Sequence, residues 1–477
     1  MTTAITIGMI IIYVAIMMGI GVYTARQTRS VSDFVLGSHS VGSWLTAFAY
    51  GTSYFSAVVF IGYAGQFGWT YGVSAAWVGV GNALLGSLLA WIVLGRRTRI
   101  MTQSLGAKTM PEYFEKRWNS KGLKIAAALI VFVFLIPYTA SVYNGLSRLF
   151  NMAFQIESEG AYKIIIIVMA LLTAIYVILG GYAATAINDF IQGIVMLIGI
   201  AAVVICAIQN QGGLTSALAA LGEIEVNGKT NTLNSVFGPD PLNLLGVVIL
   251  TSLGTWGLPQ MIHKFYAIKS ENDIKKGAVI STVFALIVAG GSYLLGGFDR
   301  LFCTLTEDGS GKTVISTLSN GKPDFDAMIP SLLHTALPDI LIGLVVVLVL
   351  SASMSTLSSL VLTSSSTLTI DLIKPNLKKC SDKKEMLIMR VLIAVFLVIS
   401  VLLAFNKNAS ISTLMSYSWG ALAGAFLGPF MYGLFSRKIT KPAVWTSFIL
   451  GIGLTLVHMF LFGFGWNPEL SKARSEE

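Results

Sequence analysis

Charge is in short supply in this 477-residue chain: Asp, Glu, Lys and Arg make up 12% of it, about half the share usual in a soluble domain. So few charges cannot cover a water-facing surface of this size, which excludes an ordinary cytosolic globule. Cysteine is scarcer still. Cys206, Cys303 and Cys380 fall in separate segments and suggest no disulfide framework. His39, His263, His334 and His458 are scattered, without metal-ligand spacing. There is no Gly-rich phosphate loop, no pair of carboxylates within one apolar run and no nucleophile motif, so nothing supports an enzyme.

What the chain does have is apolar residues, at 55% of the total, and a mean hydropathy of +0.75. A membrane crossing takes about 20 apolar residues, and about twelve segments qualify. They are 5–25, 43–67, 71–95, 122–150, 162–180, 186–208, 242–266, 276–298, 338–372, 385–405, 411–435 and 442–464. In lipid the backbone must bond to itself, and the period-two alternation of a barrel is missing, so the expected class is an all-α, polytopic membrane helix bundle. The first segment has no basic residue before it and is too long for a signal core, so it reads as a retained helix.

With the amino terminus outside, most of the 32 basic residues fall in inner loops, among them Arg96, Arg97, Arg99, Lys264, Lys269, Lys374, Arg437 and Lys438. That bias across successive loops is the positive-inside pattern and supports both the helix count and the orientation. The net charge of +9 is then accounted for by lipid at the inner leaflet and calls for no nucleic acid. No obligatory protein partner is indicated.

One segment carries an unusual load of hydroxyls between Ala352 and Thr369, and no charge before Asp371. Ala352, Ser355, Thr356 and Ser359 recur at i, i+3, i+4 and i+7, which puts them on one helical face. Small residues that let helices pack closely would give a similar composition. Neutral hard oxygens are also what a carrier needs in order to bind an alkali cation and still release it.

Two segments look broken at mid-span. The second carries Gly51, Thr52, Ser53 and Ser56, and the seventh carries Gly254, Gly257 and Pro259. A simple kink is the modest reading of either. Placed five helices apart, however, the two interruptions have the arrangement of a secondary transporter built from inverted repeats around a mid-membrane site. The expected organisation is one membrane transporter domain, 1–477. It has an extra helix at 5–25, repeats at 43–208 and 242–435, and a further helix at 442–464.

The residues then resemble a known family. Ser32-Asp33-Phe34-Val35-Leu36-Gly37, Gly51-Thr52-Ser53 with Ser56, and Thr109-Met110-Pro111-Glu112-Tyr113-Phe114 are similar to the sodium:solute symporters, the sodium/proline branch most of all. Gly180-Gly181-Tyr182 with Asp189 and Gln192, and Met354-Ser355-Thr356-Leu357-Ser358, extend the match over nearly the whole chain. The resemblance implies a five-plus-five inverted repeat of the LeuT-like kind and a sodium site. Its ligands would be the carbonyls of Thr52, Phe55 and Ala352 with the hydroxyls of Ser355 and Thr356. A second sodium farther inward would use Asp189, Ser355, Ser358 and Ser359, although Asp189 near the inner start of the sixth segment could instead be a solvated cap.

The implied solute site engages Ser53, Tyr54 and Ser56, Tyr138 after Pro137, Thr251, Thr255 and Trp256, and Tyr417 beside Ser418 and Trp419. Tyr54 stands where proline carriers have an acid, and Thr251 and Thr255 stand where they have an aromatic pair, which points to a wetter, roomier pocket. That branch has thirteen helices and this chain twelve, which by parity puts the tail beyond Trp466-Asn467-Pro468 outside.

The expected function is import of a small organic solute, an amino acid such as proline among the candidates, by a sodium-coupled symporter of the cell membrane that works by alternating access. Within carriers the alternatives are a proton-coupled symporter or a sugar, carboxylate or pantothenate symporter. An ion channel or a membrane-embedded sensor is the alternative outside them. A channel would need a continuous water path, and a sensor would need an output domain.

Overall fold

The computed structural model describes residues 2–463 apart from 27, 29, 38–40, 156, 157, 227, 308, 310, 319, 320, 378–380 and 406–409. His39, Cys380 and the tail beyond Trp466 therefore lie outside the described residues. Helices form nearly all of the rest. α1 is Thr2–Ala25. α2 has two halves: α2a is Ser43–Tyr54, and α2b runs through Val58–Tyr63 and Ala64–Tyr71. α3 covers 76–105, much of it wound as π-helix, and α4 is Lys121–Phe154.

Glu159–Asn210 is continuous in its helical hydrogen bonding, yet at about 1.5 Å per residue it is more than twice as long as the roughly 30 Å hydrocarbon layer. It is divided at Gly181, whose φ of 55° and ψ of −146° are not helical, into α5 (159–180) and α6 (182–210). A glycine is required there. A Cβ at Gly181 would sit 2.7 Å from the carbonyl oxygen of Phe34, and the positive φ disfavours any other residue. The loop expected between the fifth and sixth segments is thus reduced to one kinked residue.

α7 is again in two parts, α7a (Pro241–Leu253) and α7b (Pro259–Ala267), with a 3-10 turn at Gly254–Gly257 between them. The remaining helices are α8 (Glu271–Gly296), α9 (Asp339–Thr367), α10 (Asp382–Ala404), α11 (Ile411–Phe435) and α12 (Lys441–His458). Short helices at Val31–Leu36, Met110–Trp118, Leu214–Glu223 and Met328–Ala336 occupy segments read as loops from the sequence. Local chemistry explains two of them. Ser30 and Asp33 form a capping box, and Thr109 accepts from the Glu112 amide ahead of Pro111. Among the described residues the strand content is one parallel pair, Cys303–Thr304 with Thr313–Val314.

By length and composition, eight helical stretches can cross a membrane, or nine when α7a and α7b, bent by 53°, count as one. Burial grades across them. α9 is buried without interruption from Val345 to Thr367 and packs on α1, α4, the α5–α6 pair and α10. On α12 only Val444 and Phe448 are buried among the described residues, and Ile11 and Ile12 on α1 are 62% and 64% exposed. A central polar-lined helix inside an apolar, outward-facing rind is the layering expected in lipid. α2b and α8 touch backbone to backbone, because a Cβ on Gly68 would strike the main chain of Gly296.

Candidate functional site

The site begins where α2 breaks. α2a stops at Tyr54, Phe55 is extended (φ −98°, ψ 125°), and Ser56 is non-helical as well. The Thr52 and Phe55 carbonyls therefore face α9, where the Thr356 hydroxyl lies 3.5 Å from the first and 3.3 Å from the second. Ala352 lies one turn before Thr356 on the same face, and Ser355 adjoins it. All five residues are buried. The Ser355 hydroxyl has no hydrogen-bond partner among the described residues. Thr52's own hydroxyl turns back to the Phe48 carbonyl at 2.8 Å, which leaves its main-chain oxygen as the group on offer. Neutral carbonyls and hydroxyls from two facing helices are the donor set that suits a small hard cation.

Asp189 is fully buried on α6 rather than a solvated cap. Its partner is a residue that the positive-inside pattern assigns to an inner loop. Lys264 is 2% exposed on α7b, with its ammonium 3.6 Å from Asp189 Oδ2 and 3.0 Å from the Ser359 hydroxyl. Ser359 also bonds Ser53 at 2.8 Å, which ties α9 to α2a. Ser358 donates to the Ser355 carbonyl at 2.8 Å, and the Ser355 hydroxyl and the Asp189 carboxylate oxygens accept or donate no hydrogen bond among the described residues. Of the residues expected to form a second sodium site, Asp189 and Ser359 thus meet at one lysine, and Ser355 and Ser358 lie within one helical turn of Ser359. A signal for Lys264 was present in the sequence. α7b restarts at Pro259, so Lys264 lies only about 8 Å beyond a mid-membrane break.

On the other side of the α2 break, the Tyr54 hydroxyl donates to the Thr251 carbonyl at 2.9 Å, and its ring meets Trp419 edge-on at a centroid distance of 6.3 Å. Tyr138 approaches the same indole at 6.1 Å. The Tyr138 hydroxyl, the Ser418 hydroxyl and the Trp419 indole N–H are buried and unbonded among the described residues, which is uncommon for buried polar groups and suits a place where a ligand completes the bonding. Asn82 of α3 accepts from the Thr251 and Ser252 hydroxyls, each at 3.1 Å.

Not every expected residue joins this cluster. Thr255 donates to the Ser252 carbonyl at 2.7 Å, and the Trp256 indole is turned to Leu85 O on α3 at 3.1 Å. The Ser56 hydroxyl accepts from the Val58 amide and caps α2b. Ser53 is engaged with Ser359. Tyr417 is only half-buried and projects about 200° round α11 from Trp419. Sequence reasoning overlooked Asn82, although a lone amide in an apolar run was a visible cue.

A helical membrane bundle with two broken helices, freed carbonyls opposite hydroxyls and a cluster of aromatic and polar side chains beside them has the arrangement of a secondary transporter with a mid-membrane site. The profile of the sodium:solute symporter family matches residues 34–451. Sodium/proline symporters of Staphylococcus aureus are 30% identical over 459 residues, covering 94% of this chain and 85% of theirs. The fold is similar to that of a Na+-coupled sialic acid symporter in a substrate-bound outward-open state, with a TM-score of 0.73 and 17% identity over 95% of this chain and 96% of that one. It is also similar to a nucleobase-cation-symport-1 family transporter in a closed conformation with bromovinylhydantoin bound, with a TM-score of 0.51 and 13% identity over 86% and 82% of the two chains. The chain belongs to the sodium:solute symporter family. It is a multi-pass membrane protein that couples solute transport to Na+.

Proposed function

We propose that the chain imports a small organic solute, with an amino acid such as proline the first to test, and that one sodium ion binds at Thr52, Phe55, Ala352, Ser355 and Thr356. A single observation carries this reading. The Thr356 hydroxyl has one proton to donate, yet two buried carbonyls face it at 3.5 and 3.3 Å. A hydroxyl satisfies one of them at a time, whereas a cation between the helices draws on both carbonyls and on the hydroxyl oxygen together.

The solute sits among Tyr54, Tyr138, Trp419, Thr251 and Asn82, an amphipathic lining suited to a compact polar molecule with an apolar body. The choice of an amino acid as first candidate comes from the relatives named sodium/proline symporters. Thr251 and Thr255, in place of the aromatic pair of proline carriers, favour a cargo larger or more polar than proline. The crossings number twelve, the amino terminus is outside, and helices α2–α6 and α7–α11 form the two inverted repeats. Alternating access in the cell membrane then opens the site to each side in turn. Moving one positive charge inward yields about 2.3 kcal/mol per 100 mV, or roughly fiftyfold solute accumulation.

The experiment is uptake into proteoliposomes of a panel of amino acids, sugars and carboxylates under an inward sodium gradient, with potassium and a proton gradient as controls. Uptake of one panel member that requires sodium supports the reading. Uptake driven equally by protons without sodium refutes it.

A further inference from the structure

We infer that the Lys264 ammonium is a tethered stand-in for a second sodium ion, so that the carrier binds one sodium per cycle. The second-site residues expected from the sequence, Asp189, Ser355, Ser358 and Ser359, are all buried, and Asp189 on α6 and Ser359 on α9 converge on one point. A cation is already there, 3.0 Å from the Ser359 hydroxyl and 3.6 Å from the Asp189 carboxylate. It also lies 5.4 Å from the centre of the Tyr182 ring, a third favourable contact for an ammonium.

The charges argue the same way. One buried carboxylate needs one counter-charge, and Lys264 supplies it. A sodium ion within about 4 Å of the ammonium would be weakened on the order of a thousandfold by like-charge repulsion at an effective dielectric near 20. The cluster also links α6, α7b, α9 and, through the Ser53–Ser359 bond, α2a. It can therefore order the same helices a second ion would order. A lysine cannot leave for the cytoplasm, so it supplies the ordering and draws nothing from the sodium gradient.

This rests on the proposed function only for the existence of the first site, and the test separates the two. Binding of radioactive sodium to the purified full-length protein is counted by scintillation proximity, with no solute added. The wild type is expected to bind one sodium per chain without cooperativity. Lys264→Ala is expected to bind two, and Lys264→Ala with Asp189→Asn returns to one. Thr356→Val is expected to weaken the wild type's single ion about thirtyfold and, in the Lys264→Ala protein, to weaken one of the two ions and spare the other. If the alanine variant does not fold, Lys264→Ser keeps a polar group in the cluster and takes its place. Two sodium ions on the wild type, or one on the folded lysine variant, overturn the inference. Sodium binding that survives Thr356→Val in the wild type with unaltered affinity overturns the first-site assignment instead.

Discussion

Replacing Thr356 by valine is the sharpest test of the ion site, because valine keeps the branched shape and removes only the oxygen. In the structure that oxygen sits 3.5 Å from Thr52 O and 3.3 Å from Phe55 O, inside a fully buried junction of α2 and α9. Its loss leaves the ion one ligand short and the two carbonyls without their donor. A contact of this kind to a charged group contributes about 2 kcal/mol, which is roughly thirtyfold in the sodium concentration for half-saturation. Thr356→Ser retains the hydroxyl and gives up a methyl group, so it should lose packing stability of about 1 kcal/mol while retaining most of the sodium affinity. Thr52→Ala should lose far less affinity than Thr356→Val, since the Thr52 hydroxyl is committed to Phe48 O at 2.8 Å and the proposed ligand is its carbonyl. The assay is sodium titration of purified protein by radioligand binding, with thermal melting in potassium to confirm folding. A valine variant within threefold of the wild type, or a serine variant as weak as the valine one, would refute the ligand assignment.

Three further outcomes follow from the geometry. Tyr54→Phe removes the bond to Thr251 O and should raise the KM of the solute identified by the uptake panel by about tenfold, while solute-free sodium binding moves much less; equal loss of both would contradict a solute-side role. Gly181→Ala would press a Cβ against Phe34 O at 2.7 Å in a backbone with φ near +55°, so it should cut the yield of folded protein and lower the melting temperature. Asp326 lies in the loop before α9, where burial raises its carboxyl from 3.8 to about 6 against the pull of the Ile411 amide and Arg148. Its folded form prefers the proton, so its stabilising contribution is full below the unfolded value and is lost as pH rises through 6, by about 3 kcal/mol in all. Asp326→Asn should flatten that fall in melting temperature between about pH 4 and 7, and parallel wild-type and variant curves would show that Asp326 is not its source.

The membrane class and the breaks in α2 and α7 could be read from the sequence because each depends on a local cause. A run of some twenty apolar residues is poorly soluble in water, and Gly254 and Gly257 weaken a helix that Pro259 cannot continue. The hydroxyl face of α9 was equally open to reading, since 3.6-residue periodicity is fixed by the backbone. What could not be read depended on contacts between distant segments. The sequence points Lys264 to an inner loop because a charge near the end of an apolar run ordinarily belongs to water; only the partner 75 positions away, Asp189, makes it tolerable inside. Tyr417, Ser418 and Trp419 were indistinguishable in sequence, and the helix phase that turns Trp419 towards Tyr54 and Tyr138 is set by the packing of α11 on α4. Asn82 has meaning only once α7a lies beside α3 and brings Thr251 and Ser252 to its side-chain oxygen.

In the proposed arrangement, the last turn of α2a and the extended Phe55 that follows it are where ion and solute influence one another. Thr52 and Phe55 turn their carbonyls to Thr356 on α9, while Tyr54 between them reaches across to Thr251 on α7a. The two carbonyls are turned to α9 and the Tyr54 side chain to α7a, so one break serves both sides. A cation that fixes the two carbonyls fixes the backbone from which Tyr54 projects, and the solute then meets an aromatic already in place. Linkage makes the effect mutual: whatever affinity sodium adds for solute, solute adds for sodium. A tenfold gain in each, about 1.4 kcal/mol of coupling, would come from ordering this one turn. If saturating solute left sodium affinity unaltered in the wild type, the break would not be the element that joins them.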